Sequence, residues 1–266
     1  MKIAAVQMVS GTDVERNLET ARRLVGEAAR GGAALVALPE YFCLMGRNDR
    51  DKLALAEAPG DGPIQQMLSE TARTHGIWLI GGTLPIRSGD PERVLNANCV
   101  HAPDGTLAAR YDKIHLFKYD NGRERYDEGS AICAGGAPTS VQAGPFRVGL
   151  SVCYDLRFPE LYRALMHPPC DLLSVPAAFT YPTGRAHWEL LLRARAVENQ
   201  CYVIAAAQGG MHENGRRTFG HSMIVDPWGE VLDMRPEGEG VVLAEADPQR
   251  IASVRMQLPA LEHRRI

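Results

Sequence analysis

The 266-residue chain sets 29 Lys and Arg against 32 Asp and Glu, a formal net charge of −3, so it has no basic footprint for a nucleic-acid backbone. Its six cysteines, at 43, 99, 133, 153, 170 and 201, form no C-x-x-C pair and no cluster with histidine at ligand spacing, which speaks against a disulfide framework and a zinc site. No apolar run is long enough to span a membrane and "MKIAAVQMVSGTD" shows no cleavable leader, so the expectation is a soluble, cytoplasmic protein.

In chain order, short apolar runs alternate with longer periodic ones. "KIAAVQM" reads as a strand, "VERNLETARRLVGEAARGG" as a helix, "AALVALPE" as a strand, "PIQQMLSETARTHG" as a helix and "IWLIGGTLP" as a strand. A hairpin follows in "NANCVHAPDGTLAARYDK", turning at "PDG". The second half replays the order: "FRVGLSVCYD" as a strand, "PELYRALM" as a helix, "CDLLSVPAAF" as a strand, "GRAHWELLLRARAVENQ" as a helix, "CYVIAAAQ" as a strand, and a hairpin through "DPWG". Two β-rich halves with helices on one side each would stack sheet on sheet, giving an α/β, four-layer α-β-β-α sandwich with two pseudo-equivalent halves. No Ser/Pro-rich linker divides them, so residues 1–266 are expected to form one domain. The glycine pairs make neither G-x-G-x-x-G nor a P-loop, and in "HEN" at 212–214 Arg216 stands where a zincin's second histidine would be. No cofactor and no metal is expected.

Four reactive or charged residues stand just beyond strand ends or in an adjoining loop, positions from which side chains reach a cleft. They are Glu40 after "AALVALP", Lys113 in "YDKIHLF", Glu128 in "RERYDEGSAICAGG" and Cys153 in "VGLSVCYDLRF". Each alone has an ordinary reading: an exposed acid, a snorkelling edge lysine, a solvated loop acid and a small buried hydrophobe. Together they fit nucleophilic chemistry. A thiol of pKa about 8.5 needs a base or a nearby cation to attack as thiolate. Glu40 could take that proton, while Lys113 and the backbone N–H of Tyr154 could hold the oxyanion. His115, His187 or His221 could serve as the base instead, but none sits in a papain-like signature, so Cys-Glu-Lys ranks first.

"ALPE", "YDKIHLF" and "SVCYDLRFPELYR", in that order, resemble the nitrilase superfamily of carbon-nitrogen hydrolases, and the resemblance runs from "KIAAVQM" to "LEHRR". It implies a four-layer αββα sandwich, often dimeric, with Glu40 as general base, Lys113 as oxyanion stabiliser, Cys153 as nucleophile and Glu128 as the glutamate that orients the lysine or substrate. "TGRAHWELLLRARAVENQCYVIAAAQGG" and "GHSMIVDPWGEV" look like the branch that hydrolyses deaminated glutathione to 2-oxoglutarate and cysteinylglycine. An ω-amidase acting on 2-oxoglutaramate is the nearest rival, a nitrilase or N-carbamoyl amidase ranks lower, and a non-catalytic scaffold is the rival from another class. The partners implied are a small anionic amide and a second copy of the chain.

In "AHWELLLRARAVENQCYV", Leu190, Leu191, Ala194 and Val197 are expected to form the buried face. Arg185 and His187, near the helix start, would face the substrate. Arg157 is either a partner for a substrate carboxylate or an ion-pair partner of Asp155 or Glu160.

Overall fold

A computed structural model describes residues 1–265. Two sheets carry the molecule. The first has a parallel centre, Lys2–Gln7, Leu35–Ala37 and Trp78–Ile80, flanked by antiparallel Gly240–Glu245 on one side and Val94–His101 on the other. Val94–His101 also pairs with Leu84–Arg87 and, as the hairpin foreseen from "PDG", with Leu107–Asp112. The second sheet repeats the plan. Its parallel centre is Phe146–Leu150, Leu172–Ser174 and Tyr202–Ala205, flanked by antiparallel Thr139–Ala143 and by Ser222–Val225, which turns through "DPWG" into Val231–Arg235.

Side-chain alternation along these strands fixes the layers. Ile3, Ala5, Leu35 and Ala37 point into one core with Val148, Leu150, Leu172 and Ile204 of the other sheet. Their neighbours Ala4, Val6 and Val36 point the other way, into a second core with Leu24 and Ala28 of helix Val14–Arg30 and Leu68 and Ala72 of helix Pro63–His75. Trp188, Leu192 and Ala196 of helix Tyr181–Asn199 and Leu161 of helix Pro159–Ala164 cover the outer face of the second sheet. The order is helix, sheet, sheet, helix, as expected.

Two details differ from the sequence reading. "IWLIGGTLP" is two strands, because Gly82 takes φ +59° and folds the chain between Trp78–Ile80 and Leu84–Arg87. The long helix of the second half also turns a different face inward. Leu190 is 67% and Val197 50% exposed, Leu191 and Ala194 are half-buried, and Thr183, Gly184, Trp188, Leu192, Arg195 and Ala196 are buried instead. Trp188 decides this, since its indole packs on Phe179 and donates to the His221 carbonyl at 2.8 Å.

Candidate active site

Glu40, Lys113, Glu128 and Cys153 converge at one cluster, from four separate segments. Glu40 follows strand Leu35–Ala37, and Lys113 follows Leu107–Asp112 directly. Cys153 opens the 3-10 turn Cys153–Arg157 beyond Phe146–Leu150, and Glu128 opens the turn Glu128–Ser130. Neither lysine nor glutamates snorkel to water: Lys113 is 0%, Glu40 1%, Cys153 7% and Glu128 8% exposed.

The Lys113 Nζ donates to Glu40 Oε1 at 2.8 Å and to both Glu128 oxygens, at 3.0 and 2.8 Å. Each carboxylate has further donors. Glu40 accepts from Asn96 Nδ2 and from the Ala178 N–H, both at 3.0 Å. Glu128 accepts from Tyr41 Oη and from the Phe117 N–H, both at 2.7 Å. A buried charge cluster persists only when its lone pairs are so satisfied. Burial alone would drive the Lys113 ammonium to give up its proton, but Glu128 and Glu40 outweigh it and hold the group above its ordinary range. Burial likewise works against the Glu128 carboxylate, and Lys113 outweighs it, holding its acidity below the usual value. The Cys153 thiol goes the other way: burial and then the Glu40 charge push it well up. The resting cysteine is therefore protonated at neutral pH.

Cys153 adopts φ +50°, a conformation costly for a residue with a Cβ. The Cys153 N–H bonds Pro176 O at 2.9 Å, which ties the strained turn to the adjacent segment. The Tyr154 N–H makes no hydrogen bond among the described residues and is free to donate to a developing oxyanion. A cavity at the thiol is walled by Phe117, Tyr154, Arg157, Phe179, Thr183 and Arg216, besides Glu40, Glu128 and Cys153.

The remaining expected residues divide. Arg157 lines the cavity; its Nη1 lies 3.3 Å from His187 Nδ1 and its guanidinium packs against the Tyr154 and Phe179 rings. Its expected pairing with Asp155 or Glu160 is not formed, because Asp155 is fully buried under other donors. Arg185 and His187 are exposed and line no part of the cavity, since the helix begins at Tyr181 and both lie beyond its first turn. Thr180 and Thr183 take that place, their hydroxyls 2.8 Å apart. The signal was in "TYP": threonine before a proline at the second helical position marks an N-cap. None of His115, His187 and His221 lines the cavity, so the geometry favours glutamate over histidine as the base. His212 of "HEN" lies in the loop of the hairpin between Gly209–Met211 and Arg217–Phe219, where it is buried and bonded to Ser10 O and Thr218 Oγ1. Asn96, Tyr41 and Arg216 had no local signal, since each gains its role only from residues distant in sequence.

Residues 2–256 match the family model described as carbon-nitrogen hydrolase. A deaminated glutathione amidase from Synechocystis sp. is 42% identical over 265 residues, covering 98% of this chain and 97% of that protein. Crystalline Nit3 of Saccharomyces cerevisiae, a member of branch 10 of the nitrilase superfamily, superposes with a TM-score of 0.89 at 31% identity, covering 100% and 97% of the two chains. A mutant of the amidase from Nesterenkonia sp. AN1, with the acetamide moiety of fluoroacetamide covalently added at its active-site cysteine, has a TM-score of 0.84 at 27% identity, covering 100% and 94%.

Proposed function

The chain belongs to the carbon-nitrogen hydrolase family and is an amidase, and from that premise we propose a Cys-thioester mechanism acting on deaminated glutathione. Glu40 takes the proton of Cys153, and the thiolate attacks the amide carbon. The proton moves between two acidic groups of one cluster, so its net charge is unchanged and the raised thiol is not asked to ionise alone. Lys113 and the Tyr154 N–H hold the oxyanion; a donor so placed is worth about 3–4 kcal/mol in the transition state. The tetrahedral species collapses, Glu40 returns the proton to the leaving nitrogen, and the amine departs. Water, deprotonated by Glu40, then hydrolyses the thioester and restores the thiol.

The Lys113 ammonium, wholly buried between two carboxylates beside the thiol, carries this reading. Glu128 orients it. Arg157, which lines the cavity together with Thr183, is the partner for an acyl-side carboxylate, and its lack of an ion pair among the described residues suits that role. Cys153→Ala is expected to abolish turnover, and intact-mass measurement on the wild type to catch a 2-oxoglutaryl adduct on Cys153. Wild-type turnover by the alanine variant would overturn the mechanism. A kcat/KM more than tenfold higher for 2-oxoglutaramate would overturn the substrate.

Further parts of the reading rest on physical grounds. We place the protein in the reducing cytoplasm, because its six cysteines are all unpaired. We propose a homodimer through helix Tyr181–Asn199, which exposes Leu190 and Val197; the loop bearing the 53% exposed Trp228 adjoins it, since Gly229 of that loop bonds Arg193 and packs on Val197. Among the described residues no helix is long and apolar enough to cross a membrane, and no group of three or more His, Cys, Asp or Glu side chains could hold a metal.

A further inference from the structure

A second, wider groove opens beside the cysteine's cavity and shares Arg216 with it. Tyr41 forms the wall between the two: it lines the groove, while its hydroxyl bonds Glu128 Oε1 at 2.7 Å. Arg216 is held in place by Ala178 O at 2.8 Å and by the Tyr126 ring, 4.9 Å from its guanidinium.

The groove is cationic. Of its five basic residues, Lys52 is paired with Asp49 at 3.2 Å and Arg125 reaches Asp120 only at 4.0 Å. Among the described residues Arg47, Arg123 and Arg216 have no ion pair, against Glu124 as the one other acid on the wall.

Direction follows from the chemistry. Glu40 must hand a proton to the departing nitrogen, so the leaving half lies on the side of Glu40 and Tyr41, and the acyl half lies toward Tyr154, Arg157 and Thr183. We propose that the groove is the subsite for the leaving half, and that it selects amines whose far end carries a carboxylate, such as the C-terminus of a short peptide. The proposal rests on the amidase mechanism above and adds the chemistry of the amine. A dipeptide spans about 7 Å, and Arg216, which lines both the cavity and the groove, is the cation between its two ends.

The test compares kcat/KM for deaminated glutathione and for its C-terminal carboxamide, which differ only in that charge. The wild type should favour the acid by tenfold or more, with the preference shrinking as salt rises. In the double variant Arg47→Gln, Arg123→Gln the preference should fall to within about twofold. A wild-type ratio near one, or a ratio unchanged in the double variant, overturns the subsite and leaves the mechanism standing. Cleavage of 2-oxoglutaramate with neither longer amide touched also overturns the subsite alone, whereas cleavage of none of the three overturns both.

Discussion

Asp155 has no exposed surface and accepts four hydrogen bonds: from Tyr111 Oη at 2.7 Å, the Val152 N–H at 2.8 Å, and the His115 N–H and Nδ1 at 3.0 and 2.7 Å. Tyr111 and His115 flank Lys113, and Val152 precedes Cys153, so one carboxylate sets the lysine's segment against the nucleophile's turn. Asp155→Asn keeps the shape but replaces an accepting oxygen with an N–H facing other donors. The expected result is a loss of about 2–4 kcal/mol in urea unfolding, with kcat reduced more than KM is raised, because the misplaced group acts in the transition state. Glu40, Lys113 and Cys153 were legible because each puts a reactive residue just beyond the end of a strand. Asp155 was not: its neighbour Arg157 suggested a local ion pair, and its actual partners Tyr111 and His115 lie about forty residues away.

At the scale of the elements, the turn after strand Trp78–Ile80 positions the base. A Cβ on Gly82 would lie 2.1 Å from the carbonyl oxygen of Pro39, at a φ of +59°, so Gly82→Ala must push Pro39 and Glu40 out of place. Gly76 has almost the same φ, +62°, with nothing within 4 Å of its added Cβ. Gly76→Ala should therefore cost about 1–2 kcal/mol in urea unfolding and leave kcat alone, whereas Gly82→Ala should cost more and lower kcat at least tenfold. The elements themselves were legible because the helices bury one periodic face, while the central strands, buried on both faces, read as short apolar runs. Helix Tyr181–Asn199 misled because it has apolar residues on two faces: Trp188 and Leu192 meet the sheet, and Leu190 and Val197 stay outside. Periodicity marks an apolar stripe without saying what covers it. If a second subunit covers this one, Leu190→Glu should convert a dimer to monomer in sedimentation while the fold, by circular dichroism, persists.

For the whole molecule, stability should depend on acid through two buried histidines. Burial lowers His101 and His212 from 6.5 to about 4, and the Nδ1 of His101 has no acceptor to share a proton with. A lowered folded-state value means that the unfolded chain binds the proton first. The stabilisation is thus complete above about pH 6.5 and is lost as pH falls toward 4, by up to about 1.4 kcal/mol per pH unit for each histidine. Glu128, also lowered, adds its own loss only below about pH 4.3. Urea midpoints measured from pH 7 to 4.5 should fall, and His101→Gln with His212→Gln should flatten that slope. We also propose that residues 1–266 unfold as one cooperative unit, which calorimetry would show as a single transition. The two-halves pattern was legible; the exchange across it was not, since nothing in "GVVLAE" points to Lys2–Gln7 as its partner.

That pairing has a consequence for birth on the ribosome. Strand Gly240–Glu245 closes the side of the first sheet begun by residues 2–7, and the amine of Met1 bonds Ala246 O at 2.7 Å. Until residue 245 has left the exit tunnel, strand Lys2–Gln7, made long before its partner, keeps an open row of backbone donors and acceptors, the kind of edge that invites pairing with other chains. Synthesis halted before Gly240 should thus yield a chaperone-bound or aggregated product, although every residue of the candidate active site has already been made.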